Sequence, residues 1–546
     1  MINNQLFKSI VMLSSAIGTF HIQGIKISLI FFLSLFSLLG QNTLAQAPIE
    51  WQFTAGGTDN DRGRKLVVTD GGLIVIGHSS SSDFGPNENQ GEKDAVILKI
   101  DQNGNTLWQY TYGGSDEDVI WDIKETPDQG FIAVGYSRSN DGDLSENNGG
   151  QDYWIFKIDG QGALQWTKTY GGTNDDKALS VYVTEDGGTI VAGDSKSNDG
   201  DVSGHYGEFN YDCWVIRLDS DGNLIWGKNY GGGSSEYTTS IIQLADEGYL
   251  LVSGTESEDF DVSNNYSTDD SEDIWVVRID DEGGIIWEKN FGGSGEDSPE
   301  NVLIIDEENI LICGRTTSSS HDFINQGIGG NDGFVMQINI DGDVTWTNLL
   351  GGAEIERITA IAHSADGIGY IFSGFSESSD GDVIENYGEW DAWLGKLSNS
   401  GELIWEQNYG GTEHDRAESI VVTEEGHILF TGYTSSSDID IEQNNGSEDF
   451  WVVCLESSVS TEMKDNIDQL DLNLFPNPAN DLITIVLGDL NAIVQCDITN
   501  VSGQLLKKVQ LTRQNNVVDI SAFATGIYSL RVLSETTPKM YKIVVY

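Results

Sequence analysis

Between Ser419 and Leu455 the chain alternates short apolar runs with polar punctuation. Ser419-Ile420-Val421-Val422-Thr423 is stopped by Glu424-Glu425-Gly426. His427-Ile428-Leu429-Phe430-Thr431-Gly432-Tyr433 then gives way to a polar loop over 434–449, and Phe450-Trp451-Val452-Val453-Cys454-Leu455 is a third run. In earlier units an Asp-x-x-Gly turn leads on to a fourth run bearing tryptophan, as in Asp219-Ser220-Asp221-Gly222-Asn223-Leu224-Ile225-Trp226. Short runs rich in β-branched and aromatic residues, each closed by Gly or Asp, predict four antiparallel strands. No stretch of 48–457 carries helical periodicity of useful length.

The unit recurs seven times. Its tryptophans are Trp51, Trp108, Trp166, Trp226, Trp287, Trp346 and Trp405, with spacings of 57, 58, 60, 61, 59 and 59 residues. A four-stranded sheet repeated at this period predicts an all-β, seven-bladed β-propeller over 48–457. The array opens with an isolated Trp strand, Ile49-Glu50-Trp51-Gln52-Phe53, and stops at Leu455 after a third strand. The opening strand therefore fits the vacant outer place of the last blade and closes the ring, which removes the exposed edges of an open array. A solenoid, the structural rival, needs capping repeats rather than matched ends.

A Trp strand after Asp-x-x-Gly resembles the tryptophan-docking repeats of pyrroloquinoline-quinone dehydrogenases and of outer-membrane assembly propellers. The resemblance covers about a dozen residues per unit. It implies that each tryptophan packs between neighbouring blades, and it brings no quinone cofactor with it.

Charge narrows the function. The net charge is −59. Residues 1–47 (+2) and 458–546 (−2) cancel, so the repeat region carries all of it. Such a surface repels nucleic acid and anionic lipid and attracts cations, so nucleic acid is no partner.

Much of this acidity is periodic. Five residues after the first Gly of a Gly-Gly pair stands Asp61, Asp118, Asp176, Glu236, Asp297, Glu356 or Asp415. Directly before the third strand stands Asp94, Asp152, Asp212, Asp273, Asp332, Asp391 or Asp449. Antiparallel alternation puts both sets on one face of the disc. Each set has two readings: carboxylates that fix turns through backbone N–H groups, or a cation-attracting, ligand-binding face.

The long loops add a second pattern. Asp141, Asp143, Ser145 and Asn147 place side-chain oxygens at every second residue, as calcium loops do. Asp259, Asp261, Ser263 and Asn265 repeat the spacing, as do Asp438, Asp440, Glu442 and Asn444. Asp199, Asp201 and Ser203 keep part of it, as do Asp380, Asp382 and Asn386; Asp83 and Asp322 stand alone. Calcium is the cofactor this spacing predicts, with solvated Asx-turns as the competing account and no bidentate Glu at a fixed distance.

Catalytic motifs are missing. No H-E-x-x-H, G-x-S-x-G or phosphate-cradling glycine loop occurs, and the histidines fall at different places in different units. A glycosidase-like acid pair has no distinguishing signal among so many carboxylates. The ten arginines, few of them at loop tips, argue against a sialidase-type carboxylate-binding cluster. Cys213, Cys313, Cys454 and Cys496 are widely spaced and imply no disulfide framework.

At the N-terminus, the thirteen-residue apolar run Ile27–Leu39 is short for a membrane span and suits a signal-peptide core. Thr43-Leu44-Ala45 places cleavage after Ala45, giving a 1–45 leader, no span in the mature chain and no lipoprotein cysteine.

Past Leu455 the period stops. A polar linker, 458–470, precedes Leu472-Asn473-Leu474-Phe475-Pro476-Asn477-Pro478, Val501-Ser502-Gly503-Gln504-Leu505, Thr525-Gly526-Ile527-Tyr528 and Lys539-Met540-Tyr541-Lys542-Ile543-Val544-Val545-Tyr546. Alternating strands with such turns predict a small β-sandwich over 471–546. The ordered set resembles the type A sorting domain of the type IX secretion system of Bacteroidota. That resemblance implies export through the periplasm by the type IX machinery, to the medium or the outer cell surface. The combined expectation is an exported propeller that binds glycans or proteins. A polysaccharide hydrolase or lyase and a structural surface-layer component are the alternatives.

Overall fold

The computed structural model describes residues 47–456, except 86–88, 145, 208, 245–247, 268–270 and 324–328, together with the strand segments between 472 and 545. The expected leader, its cleavage site and the 458–470 linker lie outside the described residues.

Seven four-stranded antiparallel sheets follow one another in the repeat region, six of them ordered first to fourth as in the sequence. In the first complete blade the strands are Asp61–Thr69, Gly72–Ser79, Asp94–Ile100 and Thr106–Tyr112. Second and third strands are buried along almost their whole length. Fourth strands are half-exposed at the rim. The chain closes as expected: Ile49–Ala55 completes the sheet of Asp415–Val422, Ile428–Thr434 and Asp449–Leu455, with Trp51 opposite Cys454 and Ala55 opposite Phe450.

Packing between blades explains the seven tryptophans. Each apolar cluster is built from two adjacent blades, and each receives one rim tryptophan. Trp108 packs on the cluster of Ile97, Tyr112, Ile123 and Phe131; Trp51 packs on the one joining Phe450 and Val452 to Leu73 and Val75. The indole rings lie against the glycine of the next blade's turn. A Cβ added at Gly104 would meet Trp51 at 2.8 Å, and one at Gly222 would meet Trp166 at 2.8 Å. Gly222 also needs its positive φ of 78° to form the turn, so no other residue fits there. The docking role that the resemblance implied is thus met.

Inner strands share one irregularity. In all seven, pairing with the second strand slips between the second and fourth residues after the ring acid, as between Gly63 and Lys65 or Ile120 and Asp122. The bulged residues are Arg64, Trp121, Leu179, Thr239, Glu300, Thr359 and Glu418. A bulge re-aims a side chain, and here it turns one residue per blade towards the axis.

The C-terminal segment forms a three-stranded and a four-stranded antiparallel sheet. Ile483, Ile485, Ile498, Leu530 and Val545 are buried there. Among the described residues no helix is long and apolar enough to cross a membrane.

Candidate functional site

The two acidic sets do occupy one face, since Asp61 pairs with Ser79 and Ser79 with Asp94. Yet Asp61, Asp118, Asp176, Glu236, Asp297, Glu356 and Asp415 have no exposed surface. Asp118 shows what they do. Its Oδ2 accepts from the Gly114 N–H and the Ser139 hydroxyl, both at 2.7 Å, and its Oδ1 accepts from the Ser137 hydroxyl. The same set recurs at Asp176 with Gly172 and Ser197, and at Asp415 with Gly411 and Ser436. A ligand arriving from solvent does not reach these oxygens, so the expected acidic binding face is a buried brace beneath the loops.

The second set faces the first across each seam between blades. A Cβ at Gly113 would lie 2.4 Å from Asp94 Oδ1 and 2.9 Å from Asp118 Oδ2. Oδ1 of Asp94, Asp152, Asp212, Asp391 and Asp449 is buried without a hydrogen-bond partner among the described residues. Burial, with the facing acid, pushes Asp94, Asp152 and Asp391 up to about 7 and Asp212 to about 8. Asp273 is raised for the same reasons, with Asp297 beside it. One proton shared across a seam relieves the repulsion of two buried carboxylates.

The loop carboxylates act as latches. Asp141 Oδ1 accepts from the Ser115 N–H at 2.8 Å and Asp143 Oδ2 from the Gly113 N–H at 3.1 Å. Asp199 and Asp201 treat Thr173 and Gly171 alike, as Asp259 and Asp261 do Gly233 and Gly231 and Asp438 and Asp440 do Thr412 and Gly410. Asn147 Oδ1 accepts from the Gly149 N–H at 2.9 Å, while Ser145 lies outside the described residues. Alternation thus serves successive amides of the Gly-Gly crossing. Among the described residues the carboxylates of these loops do not form a cluster of three or more.

What varies between blades is the channel. The bulged residues line a cavity of about 380 Å³ together with Tyr237, Glu272, Arg315 and Arg357. Seven equivalent positions carry a cation, an indole, an aliphatic chain, two hydroxyls and two carboxylates. Three arginines, Arg64, Arg315 and Arg357, line this cavity. All three are matched, as is Arg62: Arg357 pairs with Glu300, Arg315 with Glu296, Arg62 with Glu448, and Arg64 lies 3.7 Å from Glu418.

Arg416 is different. Its guanidinium lies 3.9 Å from the centre of the Trp390 ring and 4.1 Å from that of Phe375, with Tyr433 at 5.7 Å. Among the described residues it has no ion pair, and its Nε is buried without an acceptor. Trp390 is held by its N–H to Glu377, and His414 sits 4.4 Å from it while pairing with Glu389 at 2.7 Å. Arg64 likewise lies over Trp121 at 4.5 Å. Of the fourteen tryptophans, seven dock blades and Trp154, Trp214, Trp275, Trp393 and Trp451 fill cores. The remaining two, Trp121 and Trp390, each lie under an arginine, and Trp121 lines the channel cavity.

Sequence reasoning missed this site because it searched for recurrence. The available signal was the reverse: two variable positions, one and three residues after the acid that follows each Gly-Gly pair, which hold Arg416 and the bulged residues respectively.

Comparison with known proteins places the C-terminal segment. Residues 473–546 match the secretion system C-terminal sorting domain family. Over 440 residues the chain is 21% identical to the regulatory protein FlaEY of Caulobacter vibrioides; the match covers 72% of this chain and 45% of that protein. Similar solved structures include the Neurospora crassa Pan2 WD40 domain, with 9% identity, coverage of 72% of this chain and 88% of that one, and a TM-score of 0.41. A puromycin hydrolase mutant shows 10% identity, 81% and 61% coverage and a TM-score of 0.42. Neither likeness carries an argument about activity. The chain is a β-propeller with a type IX sorting tail, which directs it to the cell surface or beyond and implies contact with the secretion machinery.

Proposed function

We propose that this chain is a surface-delivered binding module that recognises extracellular glycans at the channel mouth, through a sugar carboxylate. Arg416 carries the reading. A guanidinium with no ion pair among the described residues, set between aromatic rings, suits a planar anionic group whose sugar ring stacks on Trp390. The channel cavity of about 380 Å³, lined by Arg64, Arg315 and Arg357 rather than by Arg416 itself, fits one or two sugar units. Most of the chain's charge repels polyanions, but at physiological salt that repulsion is screened within about 8 Å. The local arginines therefore decide what docks. Binding of the mature chain to uronate-bearing and neutral oligosaccharides tests this: retention of the uronates, lost in Arg416→Ala, supports it, and equal binding of both classes refutes it.

One observation favours a second reading, hydrolysis. Glu272 is raised to about 8 by burial and by Glu300 beside it, which keeps a carboxylic acid protonated near neutral pH. Release of shortened products in the same assay, abolished in Glu272→Gln, would favour this reading over pure binding.

A further inference from the structure

The last blade departs from the other six at three positions, and the departures meet. Where Cys454 stands, the other blades carry Lys99, Lys157, Arg217, Arg278, Gln337 and Lys396. In three of them that cation pairs with a turn carboxylate: Lys157 with Asp128, Arg217 with Asp186 and Lys396 with Asp366. Where His427 stands, they carry Gly72, Gly130, Gly188, Gly248, Asn309 and Gly369. Glu50 occupies the bulge of its Trp strand, held elsewhere by Leu107, Gln165, Ile225, Ile286, Thr345 and Ile404.

These three side chains, from opposite ends of the repeat region, converge. His427 Nδ1 is 2.8 Å from Glu50 Oε2, Cys454 Sγ is 3.8 Å from Glu50 Oε2, and Cys454 Sγ is 3.9 Å from His427 Nδ1. A nucleophilic relay would use both imidazole nitrogens, one towards the thiol and one towards the carboxylate. Here thiol and carboxylate address the same nitrogen. Three donors aimed at one point is a coordination geometry instead.

We propose that Glu50, His427 and Cys454 bind a zinc-class divalent transition metal that staples the closing strand to the last blade. Around tetrahedral zinc, bonds of about 2.0–2.3 Å put neighbouring donors about 3.2–3.7 Å apart. The observed separations reach that with shifts of a few tenths of an ångström. Sulfur and imidazole donors select this class over calcium or magnesium. Binding releases the Cys454 thiol proton to solvent as the metal–sulfur bond forms, with no change of oxidation state. A groove of about 720 Å³ lined by Glu50, His427, Cys454, Glu424, Gln102 and Asn103 leaves the fourth position open to water.

The test uses the mature chain, stripped with chelator and titrated with zinc alone and with cobalt(II) alone. Expected are one tight equivalent of zinc above the weak background of surface carboxylates, a thiolate-to-cobalt charge-transfer band, and a zinc-dependent rise in melting temperature. His427→Gly and Cys454→Lys install residues the other blades already use. Both should lose the band and weaken zinc binding at least 100-fold. Absence of the band in the unmodified chain, which needs no variant to fold, overturns the proposal, as do variants that bind zinc like the parent.

Discussion

The Tyr112 hydroxyl donates to the carbonyl of Gly162, in the turn of the following blade, at 2.6 Å. Four residues earlier on the same strand, Trp108 lies against that same glycine. Tyr230 repeats the bond to Gly283 at 2.8 Å, and Tyr409 makes it to Ala47 across the closure, also at 2.8 Å. Four of the seven rim strands, those bearing Tyr112, Tyr170, Tyr230 and Tyr409, therefore grip their neighbour twice, by an indole face and by a phenol.

Separating the two grips gives the first prediction. Trp108→Ala should destabilise the propeller by about 2–4 kcal/mol through lost burial. Tyr112→Phe should remove about 1–2 kcal/mol, because it leaves a buried carbonyl unmet. Denaturant unfolding checks both, and equal effects would contradict the assignment.

Stability should rise on acidification from pH 9 to pH 5. Asp94, Asp152, Asp391 and Asp212 keep their protons in the folded chain to about 7–8, whereas the unfolded chain releases them near 4. Their contribution is full below about 4, declines as pH climbs and is gone above about 8. Asp128, held near 2 by Lys157, does not titrate in this window. A melting temperature about 5 °C or more lower at pH 9 than at pH 5 is expected. Asp94→Asn should flatten the profile.

Calcium separates latches from ligands. Because Asp141 and Asp143 already accept backbone N–H groups, millimolar calcium should move the melting temperature of metal-free protein by less than about 2 °C. A larger rise that vanishes in Asp141→Asn would make these loops calcium sites after all.

At the channel, Arg416→Lys keeps charge but loses the planar stacking on Trp390. It should weaken binding of uronate-bearing sugars about tenfold, short of the loss in Arg416→Ala. Isothermal titration with both variants checks the order.

Deletion of 471–546 should leave the propeller folded and trapped in the periplasm. Fractionation with an antibody to the propeller reads this directly, and surface display of the shortened chain would contradict the sorting assignment.

The architecture was legible because propeller geometry repeats, and repetition is what a lone sequence displays. Strand count, ring closure, the docking tryptophans and the shared face of both acidic sets all follow from periodic positions. The candidate site was not legible, since Arg416, Trp390 and Phe375 belong to two blades and meet only when those blades pack. The periodic acids misled for a related reason: recurrence through seven blades marks a need of the scaffold, and burial of Asp118 satisfies one. Cys454 lies within the apolar run Phe450–Leu455, where nothing in the sequence marks it as a ligand, and only the closure brings Glu50 to it.

Closure by Ile49–Ala55 makes the last blade a joint product of the first and final strands synthesised in the repeat region. A chain truncated at either end of the array keeps a bare strand edge, open to pairing with other chains. The seam therefore works as a test of completeness: only an intact array gives the last blade its fourth strand, and the sorting tail follows the array's final strand, Asp449–Leu455.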